Sequence, residues 1–369
     1  MLDSARDLEI RRKMGAAPQL APAVHTSMMR EVYQRCGWRW MYAPRLKAGL
    51  GFDEAALLGL FRPEMAGEDF SRFVGKARQK RFHAICNDRR WYALADDKAV
   101  FYTMLKGAGL AAPATIAFAG ARKRTGMGEW LSSSEALGAF LGAQDRWPLF
   151  AKPVDGMYSL GALRLEGVAD GSVQVAGEGP VGLADLWAYM SALSQQGYLV
   201  QQCLAPSQFA LDHFGMTIAS VRLLILFSGP EPRIESAVIK IPSGTHVADN
   251  FWRSGNMLAA LDGEGRIIRV ISGKGPAERE VDRHPATGAA LVGLSVPDWS
   301  GLCSLALTGA ALFPAIRTQS WDVALTEGGP HLLEVNFGGD LDLHQMAHRR
   351  GALSAGYAAH LKACGVKGV

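Results

Sequence analysis

The stretch that decides the fold is WDVALTEGGPHLLEVN, residues 321–336. Two strand-like runs flank a Gly-Gly pair, which predicts a β-hairpin. Side chains of a strand alternate between its two faces, so Glu334 and Asn336 point the same way. If the hairpin turns about Gly328, Asp322 lies opposite Glu334 on that face. Like charges placed opposite each other destabilise a sheet, by roughly 0.2–1 kcal/mol when exposed. We therefore expect a positive group between them.

The hairpin carboxylates allow two interpretations. Two carboxylates and one amide oxygen on the same face make an all-oxygen site of the kind that Mg²⁺ prefers, with phosphate oxygens and water as the remaining ligands. Alternatively, the carboxylates form structural ion pairs, with Arg222 or Lys240 as partners. The hairpin alone does not decide between a metal site and ion pairs.

A second feature is FAKPVDGMYSLG, residues 150–161. Lys152 ends an apolar strand, and the loop after it contains Gly156 and Gly161. An ammonium group together with backbone N–H groups of a flexible loop can hold phosphates. The alternative is that Lys152 only ends the strand and the glycines only turn the chain. Considered together, this stretch and the hairpin favour a site for Mg-ATP.

The composition is that of a globular protein. The chain has 369 residues, of which 49% are hydrophobic and 20% are charged, and its formal net charge of +4 gives no reason to expect a nucleic-acid partner. The one local excess of charge is the basic run between Lys76 and Arg90. Such a run is either a solvated helix face or a binding surface for a phosphorylated or lipid-linked substrate.

The cysteines and the N-terminus indicate the cellular compartment in which the protein works. The five cysteines are far apart, form no CxxC and show no His at ligand spacing, so we expect reduced thiols: Cys36, Cys86, Cys203, Cys303 and Cys364. The first residues mix charged with apolar side chains and lack the apolar segment of a signal peptide. No apolar run approaches the ~18 residues of a membrane span. These features predict a cytoplasmic protein.

The order of predicted elements indicates an α+β fold with more than one lobe. Residues 1–95 read as mainly helical, and strands and helices interleave from Asp97 onwards, with several antiparallel hairpins. GEGPVG at 177–182 matches the dinucleotide pattern GxGxxG only formally, because Pro180 interrupts it and no acidic residue follows about 20 positions later.

The ordered set of motifs resembles the ATP-grasp superfamily, and within it the sugar-transfer associated ATP-grasp branch. The resemblance covers roughly residues 95–350. At the hinge the chain has Gln where many relatives have an acidic residue. The motifs are DK at 97–98, AKP at 151–153, VQQ at 200–202, SVR at 220–222, VADN at 247–250, HPATG at 284–288, VPDW at 296–299, WD at 321–322 and EVN at 334–336.

The resemblance implies an ATP-grasp fold in which two α+β lobes sandwich the nucleotide. It implies a mainly helical region at 1–95, an N-terminal lobe with the Gly-rich loop at 96–200 and a C-terminal lobe with the metal-binding hairpin at 201–369. ATP and Mg²⁺ are the implied cofactors. Lys152 and Lys240 would hold phosphates, and Arg222 would sit near the transferred phosphoryl group.

The remaining implied site residues fall into three groups. The loop that covers the phosphates includes Gly156, Ser159 and Gly161. The strand that meets the adenine edge includes Gln201, Gln202, Cys203 and Leu204. The Mg²⁺ ligands would be Asp322, Glu334 and Asn336. The stretch after Asn336, FGGDLDLHQ, departs from the Pro-containing segment common in relatives, but we expect its Gly338 and Gly339 to offer backbone N–H groups to a substrate oxyanion.

The activity implied by this resemblance is that of a carboxylate ligase, in which ATP converts a small-molecule carboxylate to an acyl phosphate that an amine or similar nucleophile attacks. The branch name suggests polysaccharide or natural-product biosynthesis. Two alternatives stay open: a kinase on the same fold that phosphorylates a hydroxyl, and a non-catalytic nucleotide-binding module. The sequence does not indicate the substrate, a role for Asp340 or the oligomeric state.

Overall fold

The computed structural model describes residues 2–13, 19–157, 159–243, 249–337 and 339–368. The fold is mixed α+β, as the sequence predicts. The N-terminal region is helical, and α2 is interrupted at Gly37, whose φ of 72° is not helical. The helices of this region are α1 (Ser4–Lys13), α2 (Pro22–Ala48), α3 (Phe52–Leu57), α4 (Lys76–Cys86) and α5 (Tyr92–Asp96).

The first sheet has the strand order β2-β1-β7-β3-β4-β5-β6 in the described chain. Only β1 and β2 pair in parallel, and the other neighbours are antiparallel. Helices α7 (Ser134–Gly142) and α8 (Leu183–Leu193) share one apolar core with it. The strands are β1 (Thr115–Ala119), β2 (Glu129–Leu131), β3 (Leu149–Pro153), β4 (Leu163–Ala169), β5 (Ser172–Val175), β6 (Gly179–Gly182) and β7 (Tyr198–Gln202).

The second sheet is antiparallel, in the order β12-β11-β10-β9-β8-β13-β14 over the described residues. The strands are β8 (Ser220–Phe227), β9 (Pro232–Ile241), β10 (Met257–Leu261), β11 (Ile267–Ser272), β12 (Arg279–Glu280), β13 (Thr318–Thr326) and β14 (Gly329–Asn336). The helices of this half are α9 (Gln208–Phe214), α10 (Trp299–Ala310), α11 (Leu341–His348) and α12 (Ala355–Ala363).

The central strands of the second sheet are covered on both faces, which explains why they read as continuous apolar runs. Every residue of β8 and β13 is buried. On β8, Leu223 packs in the core that contains α10, whereas Leu224 packs on the opposite side with Tyr357 of α12. Because side chains alternate between faces, a strand buried on both sides needs apolar residues at nearly every position. A polar group on these strands therefore requires a buried partner.

Helix α6 (Lys98–Gly107) connects the helical region to both sheets. Its N-terminus is capped by Asp97, whose carboxylate accepts hydrogen bonds from the backbone of Ala99 and Val100. Its buried face places the ring of Phe101 5.7 Å from the ring of Trp321 on β13. The helix thereby fixes Lys98, its first residue, at the junction of the two sheets.

Candidate active site

The hairpin β13–β14 has the register that the sequence predicts. Asp322 pairs with Glu334, and Asn336 pairs with Ser320. The turn is centred between Glu327 and Gly328, because Thr326 pairs with Gly329. The centre expected from the sequence was Gly328 itself, half a residue later. A bulge at Leu333 compensates, since Val323 pairs with Leu332. This extra residue restores Asp322 opposite Glu334.

The positive charge expected beside Asp322 comes from two neighbouring strands. Asp322 is 1% exposed. Arg222 on β8 donates from Nε to Oδ1 and from Nη2 to Oδ2, both at 2.6 Å, and Nζ of Lys240 on β9 donates to Oδ2 at 2.9 Å. Both ion-pair partners named from the sequence are therefore present together. The structure thus supplies protein cations for this carboxylate.

The pKa values follow from this arrangement. Burial acts to raise the pKa of Asp322, but the charges and hydrogen bonds of Arg222 and Lys240 hold it well below its usual range. Burial likewise opposes the charge of Lys240, and Asp249 and Asp322 outweigh it, so the pKa of Lys240 is raised. The three buried groups are held in their charged forms because each has partners of opposite sign.

Two further aspartates extend the network. Asp249 lies 3.4 Å from Nζ of Lys240 and accepts a hydrogen bond from Ser220, and burial raises its pKa. Asp340, which has no role predicted from the sequence, accepts from Nη1 of Arg222 at 3.2 Å and from Nζ of Lys76 at 3.0 Å. Lys76 is the first residue of α4, so the helical region contributes a charge to this site.

Glu334 is placed differently from Asp322. Its side chain is 39% exposed, and its Oε1 lies 3.8 Å from Nη2 of Arg222 and 3.4 Å from the side-chain nitrogen of Asn336. These contacts are longer than the bonds around Asp322. Glu334 and Asn336 thus present polar atoms towards open space, on the face that the hairpin pattern predicts.

Lys152 ends β3 and contacts the second sheet through one intermediary. Its Nζ donates to the hydroxyl of Tyr102 at 2.6 Å, and that hydroxyl donates to the carbonyl of Leu333, also at 2.6 Å. Burial, followed by the like charge of Lys98, lowers the pKa of Lys152 to about 7, with Glu334 opposing the shift.

The glycine-containing loop connects β3 to β4, as the sequence predicts. Gly156 accepts a hydrogen bond from Nζ of Lys98 through its carbonyl. Gly161 has a φ of 73°, and a Cβ there would lie 2.7 Å from the hydroxyl of Tyr198. Both properties require glycine. Tyr158 of this loop lies outside the described residues.

The hinge strand is β7 with the two residues that follow it. The amide of Gln201 is buried and donates to the hydroxyl of Thr115 at 3.2 Å. Burial raises the pKa of the Cys203 thiol. Gln201, Gln202, Cys203 and Leu204 all line the same cavity as Lys152.

This first cavity lies between the two sheets and brings most of the expected site residues together. Of the expected residues, Gly161, Arg222 and Asn336 are not among those that line it. The expected residues that do line it are Lys152, Gly156, Ser159, Gln201, Gln202, Cys203, Leu204, Lys240, Asp322 and Glu334.

A second cavity adjoins the first. Arg222, Asn336 and Asp340 line it, together with Lys76 and Gln79 from α4 and the aromatic residue Trp252. Six residues line both cavities and so form a shared wall: Lys98, Gly156, Ser159, Lys240, Asp249 and Glu334.

Besides Asp340, sequence reasoning left unassigned three charged residues that the structure places in the site: Lys98, Asp249 and Lys76. Lys98 and Asp249 belong to the quoted motifs DK and VADN, so the motifs carried a signal for them. Lys76 stood in a basic run with no distinguishing neighbour, and only the fold brings it to Asp340. Of the two glycines expected to face an oxyanion, Gly338 lies outside the described residues, and the N–H of Gly339 donates to the carbonyl of Asn336 at 3.4 Å.

His284 has structural contacts. One ring nitrogen lies 2.8 Å from the carbonyl of Pro242, and the other accepts from the backbone N–H groups of Ala286 and Thr287. These bonds hold the HPATG turn in place.

A matching family model identifies the class of protein, the ATP-grasp superfamily. The sequence model of the sugar-transfer associated ATP-grasp family matches residues 77–360, well over half of the chain. The chain belongs to this family. No curated protein matches the sequence significantly.

Solved structures that match the chain include a D-alanine-D-alanine ligase, a D-alanyl-alanine synthetase and an L-amino acid ligase. The D-alanine-D-alanine ligase of Coxiella burnetii is 11% identical with a TM-score of 0.42, over 75% of this chain and 59% of that one. The D-alanyl-alanine synthetase A of Vibrio cholerae is 13% identical with a TM-score of 0.44, over 75% and 67%. The L-amino acid ligase of Bacillus licheniformis is 13% identical with a TM-score of 0.34, over 84% and 51%. The chain thus spans between half and two thirds of their lengths.

Among the helices that the structure describes, none is long and apolar enough to cross a membrane.

Proposed function

We propose that this protein is an ATP-dependent carboxylate ligase of the carboxylate–amine type, which acts through an acyl phosphate. The observation that carries the proposal is the shared wall between the two cavities, with Lys98, Lys240 and Glu334 in it. A nucleotide in the first cavity and a carboxylate in the second would meet at this wall. A phosphoryl group could then pass between them without crossing solvent.

The first cavity suits a nucleotide. Its lining includes apolar side chains, among them Leu204 and Ile218, together with the amide of Gln202. It also includes three lysines that could neutralise phosphates: Lys98, Lys152 and Lys240. An adenine ring needs an apolar slot with a few polar contacts, and a triphosphate needs positive charge.

The side chains of the hairpin offer the kind of ligand atoms that a magnesium ion prefers. The oxygen atoms of Glu334, Asn336 and Asp322 are hard ligands, and Glu334 is exposed enough to bind an ion. Asp322 already accepts three hydrogen bonds, so it would share its remaining lone pairs with the ion or act by holding Arg222 and Lys240. When bound, Mg²⁺ would neutralise charge on the transferring phosphoryl group.

The residues of the chain would contribute position and charge. Lys152 would contact the phosphates from the first sheet, and Lys240 would do so from the second. Arg222, fixed by Asp322 and Asp340, would face the carboxylate and the acyl phosphate from the second cavity. Fixed charges that need no rearrangement during the reaction stabilise its transition state most effectively.

The chemistry balances in two steps. An oxygen of the substrate carboxylate attacks the γ-phosphorus of ATP, which forms the acyl phosphate and releases ADP. A neutral amine then attacks the acyl carbon, the C–O bond to phosphate breaks, and the amine loses a proton. The products are an amide, ADP and inorganic phosphate, and no enzyme nucleophile is needed.

The experiment is a hydroxamate assay with ATP, Mg²⁺ and hydroxylamine across amino acids and sugar acids, with ADP and phosphate measured in the same wells. Hydroxamate formation with equal yields of ADP and phosphate supports the ligase. ADP without free phosphate, on an acceptor that carries a hydroxyl, supports a kinase instead. Nucleotide binding without turnover on any substrate would leave only the non-catalytic module.

A further inference from the structure

A second cluster of chemically active side chains lies away from the two cavities. Cys86 ends α4, and His360 and Cys364 lie one helical turn apart on and just after α12. Their ligand atoms all lie within 4.8 Å of one another, and within the described residues no other group of three His, Cys, Asp or Glu side chains meets this condition. The sequence contains part of this signal, because His360 precedes Cys364 by four positions, so the prediction that no His lies at ligand spacing from a cysteine is wrong.

The distances fit a tetrahedral metal. Zinc–sulfur bonds of about 2.3 Å and zinc–nitrogen bonds of about 2.0–2.1 Å place the two ligand atoms about 3.5–3.6 Å apart at a tetrahedral angle. Sγ of Cys364 lies 3.5 Å from Nε2 of His360. These two ligands are thus already at the separation that zinc requires, without a backbone movement.

The surroundings orient the imidazole. Nδ1 of His360 lies 3.2 Å from Oγ of Ser228, and Nε2 lies 2.9 Å from Oγ1 of Thr318. If Nδ1–H donates to Ser228, Nε2 carries the lone pair that a metal needs. Hydrogen bonds of this kind fix the tautomer of metal-binding histidines. The Thr318 hydroxyl currently occupies the direction from which an ion would bind.

The cluster is accessible to an ion from one side. Cys86 and His360 are buried, whereas Cys364 is only partly buried, so an ion can approach from the side of Cys364.

We propose that Cys86, His360 and Cys364 form a zinc site that joins α4 to α12 behind the second sheet. Two thiolates and one imidazole are soft and borderline ligands, which favour zinc over Mg²⁺. Water completes the tetrahedron once the Thr318 hydroxyl turns away from Nε2 of His360. Asn87, next to Cys86, donates to the carbonyl of Phe337 at 2.6 Å, so the ion also stabilises the segment that follows Asn336.

The test uses the full chain, reduced and free of any histidine tag, with zinc alone as the titrant. We expect one zinc ion per chain by elemental analysis, in competition with a chromophoric chelator. Cobalt in place of zinc should give an absorption band from thiolate-to-cobalt charge transfer. Fully reduced protein that binds no zinc would overturn the proposal, even if its cysteines form a Cys86–Cys364 disulfide on oxidation.

The variants separate this site from adventitious binding. Cys364→Ser should lose the cobalt band and stoichiometric zinc, whereas Cys303→Ser, on α10 outside the cluster, should keep both. Ser228→Ala leaves the three ligands intact and should weaken zinc binding by about 10–100-fold. Zinc should raise the Tm of the wild type and of Cys303→Ser but not of Cys364→Ser. Zinc binding that survives Cys364→Ser unchanged would place the ion elsewhere.

Discussion

Lys152 of the first sheet and Leu333 of the second are bridged by a single hydroxyl, that of Tyr102, which accepts from the lysine and donates to the carbonyl, each at 2.6 Å. Leu333 is also the bulged residue that sets Asp322 opposite Glu334. The lysine proposed to hold phosphates is therefore positioned by the same residue that fixes the hairpin register.

The lowered pKa of Lys152 predicts that ATP affinity depends on pH. Burial lowers the pKa of Lys152 to about 7, and bound phosphate would favour its charged form, so we expect ATP binding to take up a proton above that pH. We expect affinity to fall as the pH rises from about 7.5 to 9, by up to tenfold per unit. Calorimetry in buffers of different ionisation enthalpy measures both the ATP affinity and the number of protons taken up on binding.

Lys152→Arg is the matched control, because arginine stays charged throughout this range. Its ATP affinity should be nearly independent of pH, and Lys152→Ala should bind ATP weakly at every pH. Equal pH dependence in the wild type and Lys152→Arg would remove Lys152 from the phosphate site.

Loss of charge at Asp322 and at Glu334 should affect the stability of the protein to very different extents. Asp322→Asn leaves Arg222 and Lys240 buried without a full counter-charge, which should lower the free energy of unfolding by about 3–5 kcal/mol. Glu334→Gln should change it by less than about 0.5 kcal/mol, since the side chain is 39% exposed. Urea unfolding without ligands checks both values.

The activity of Glu334→Gln provides the second measurement. We expect this variant to lose Mg²⁺-dependent turnover while it remains folded. If Glu334→Gln instead unfolds as easily as Asp322→Asn, the structural ion-pair interpretation applies to both carboxylates.

Gly161 should be replaceable only at a cost that depends on Tyr198. Gly161 and Gly171 share a φ of 73°, but an added Cβ meets the Tyr198 hydroxyl at 2.7 Å only at position 161. Both alanine variants should lose about 1 kcal/mol of stability from the backbone. Gly161→Ala should lose more, and it should also weaken ATP binding. Thermal unfolding and nucleotide titration of the two variants test this, and identical losses would show that the contact does not matter.

The raised pKa of Asp342 predicts that the free energy of unfolding depends on pH in the acid range. Burial raises its pKa to about 6 despite the neighbouring Lys76. A carboxyl whose pKa is higher in the folded state stabilises the protein most below its unfolded pKa, near 4, and this contribution is lost as the pH rises through 6. The wild type should therefore lose up to about 3 kcal/mol relative to Asp342→Asn between these values.

Unfolding curves of both proteins at each pH measure this difference, which includes the response of Lys76 and Asp340 to the loss of the neighbouring carboxylate. If the stability profiles of the wild type and of Asp342→Asn run parallel between about pH 4 and about pH 7, the range in which this carboxyl should titrate, they contradict the raised pKa.

The sequence predicted the local elements of the site because their signals are local. The alternation in EVN and the Gly-Gly pair indicated which residues share a face, and the apolar run before Lys152 indicated a strand end. The bulge at Leu333 was not foreseen, because nothing in LLEVN distinguishes a regular strand from one with an extra residue. The expected turn centre was half a residue too late and the bulge was missed. Because these two errors compensate, the predicted pairing of Asp322 with Glu334 was correct.

Contacts between distant segments could not be read in the same way. Lys76 and Asp340 are separated by 264 positions, and their ion pair depends on how α4 packs against the second sheet. The partners of Asp322 were named correctly as alternatives, because charged residues on apolar strands must find buried counter-charges. That both would bind the same carboxylate required the strand order β9-β8-β13.

The two cavities draw on different parts of the chain. Within the described residues, the first is lined by nothing before Lys98, whereas Lys76, Gln79 and Asp96 of the helical region line the second. If the first cavity holds the nucleotide and the second the acceptor, as proposed, changes in the helical region would alter the choice of acceptor and leave nucleotide binding unchanged. Exchange of this region between relatives would then change the substrate preference without changing the use of ATP.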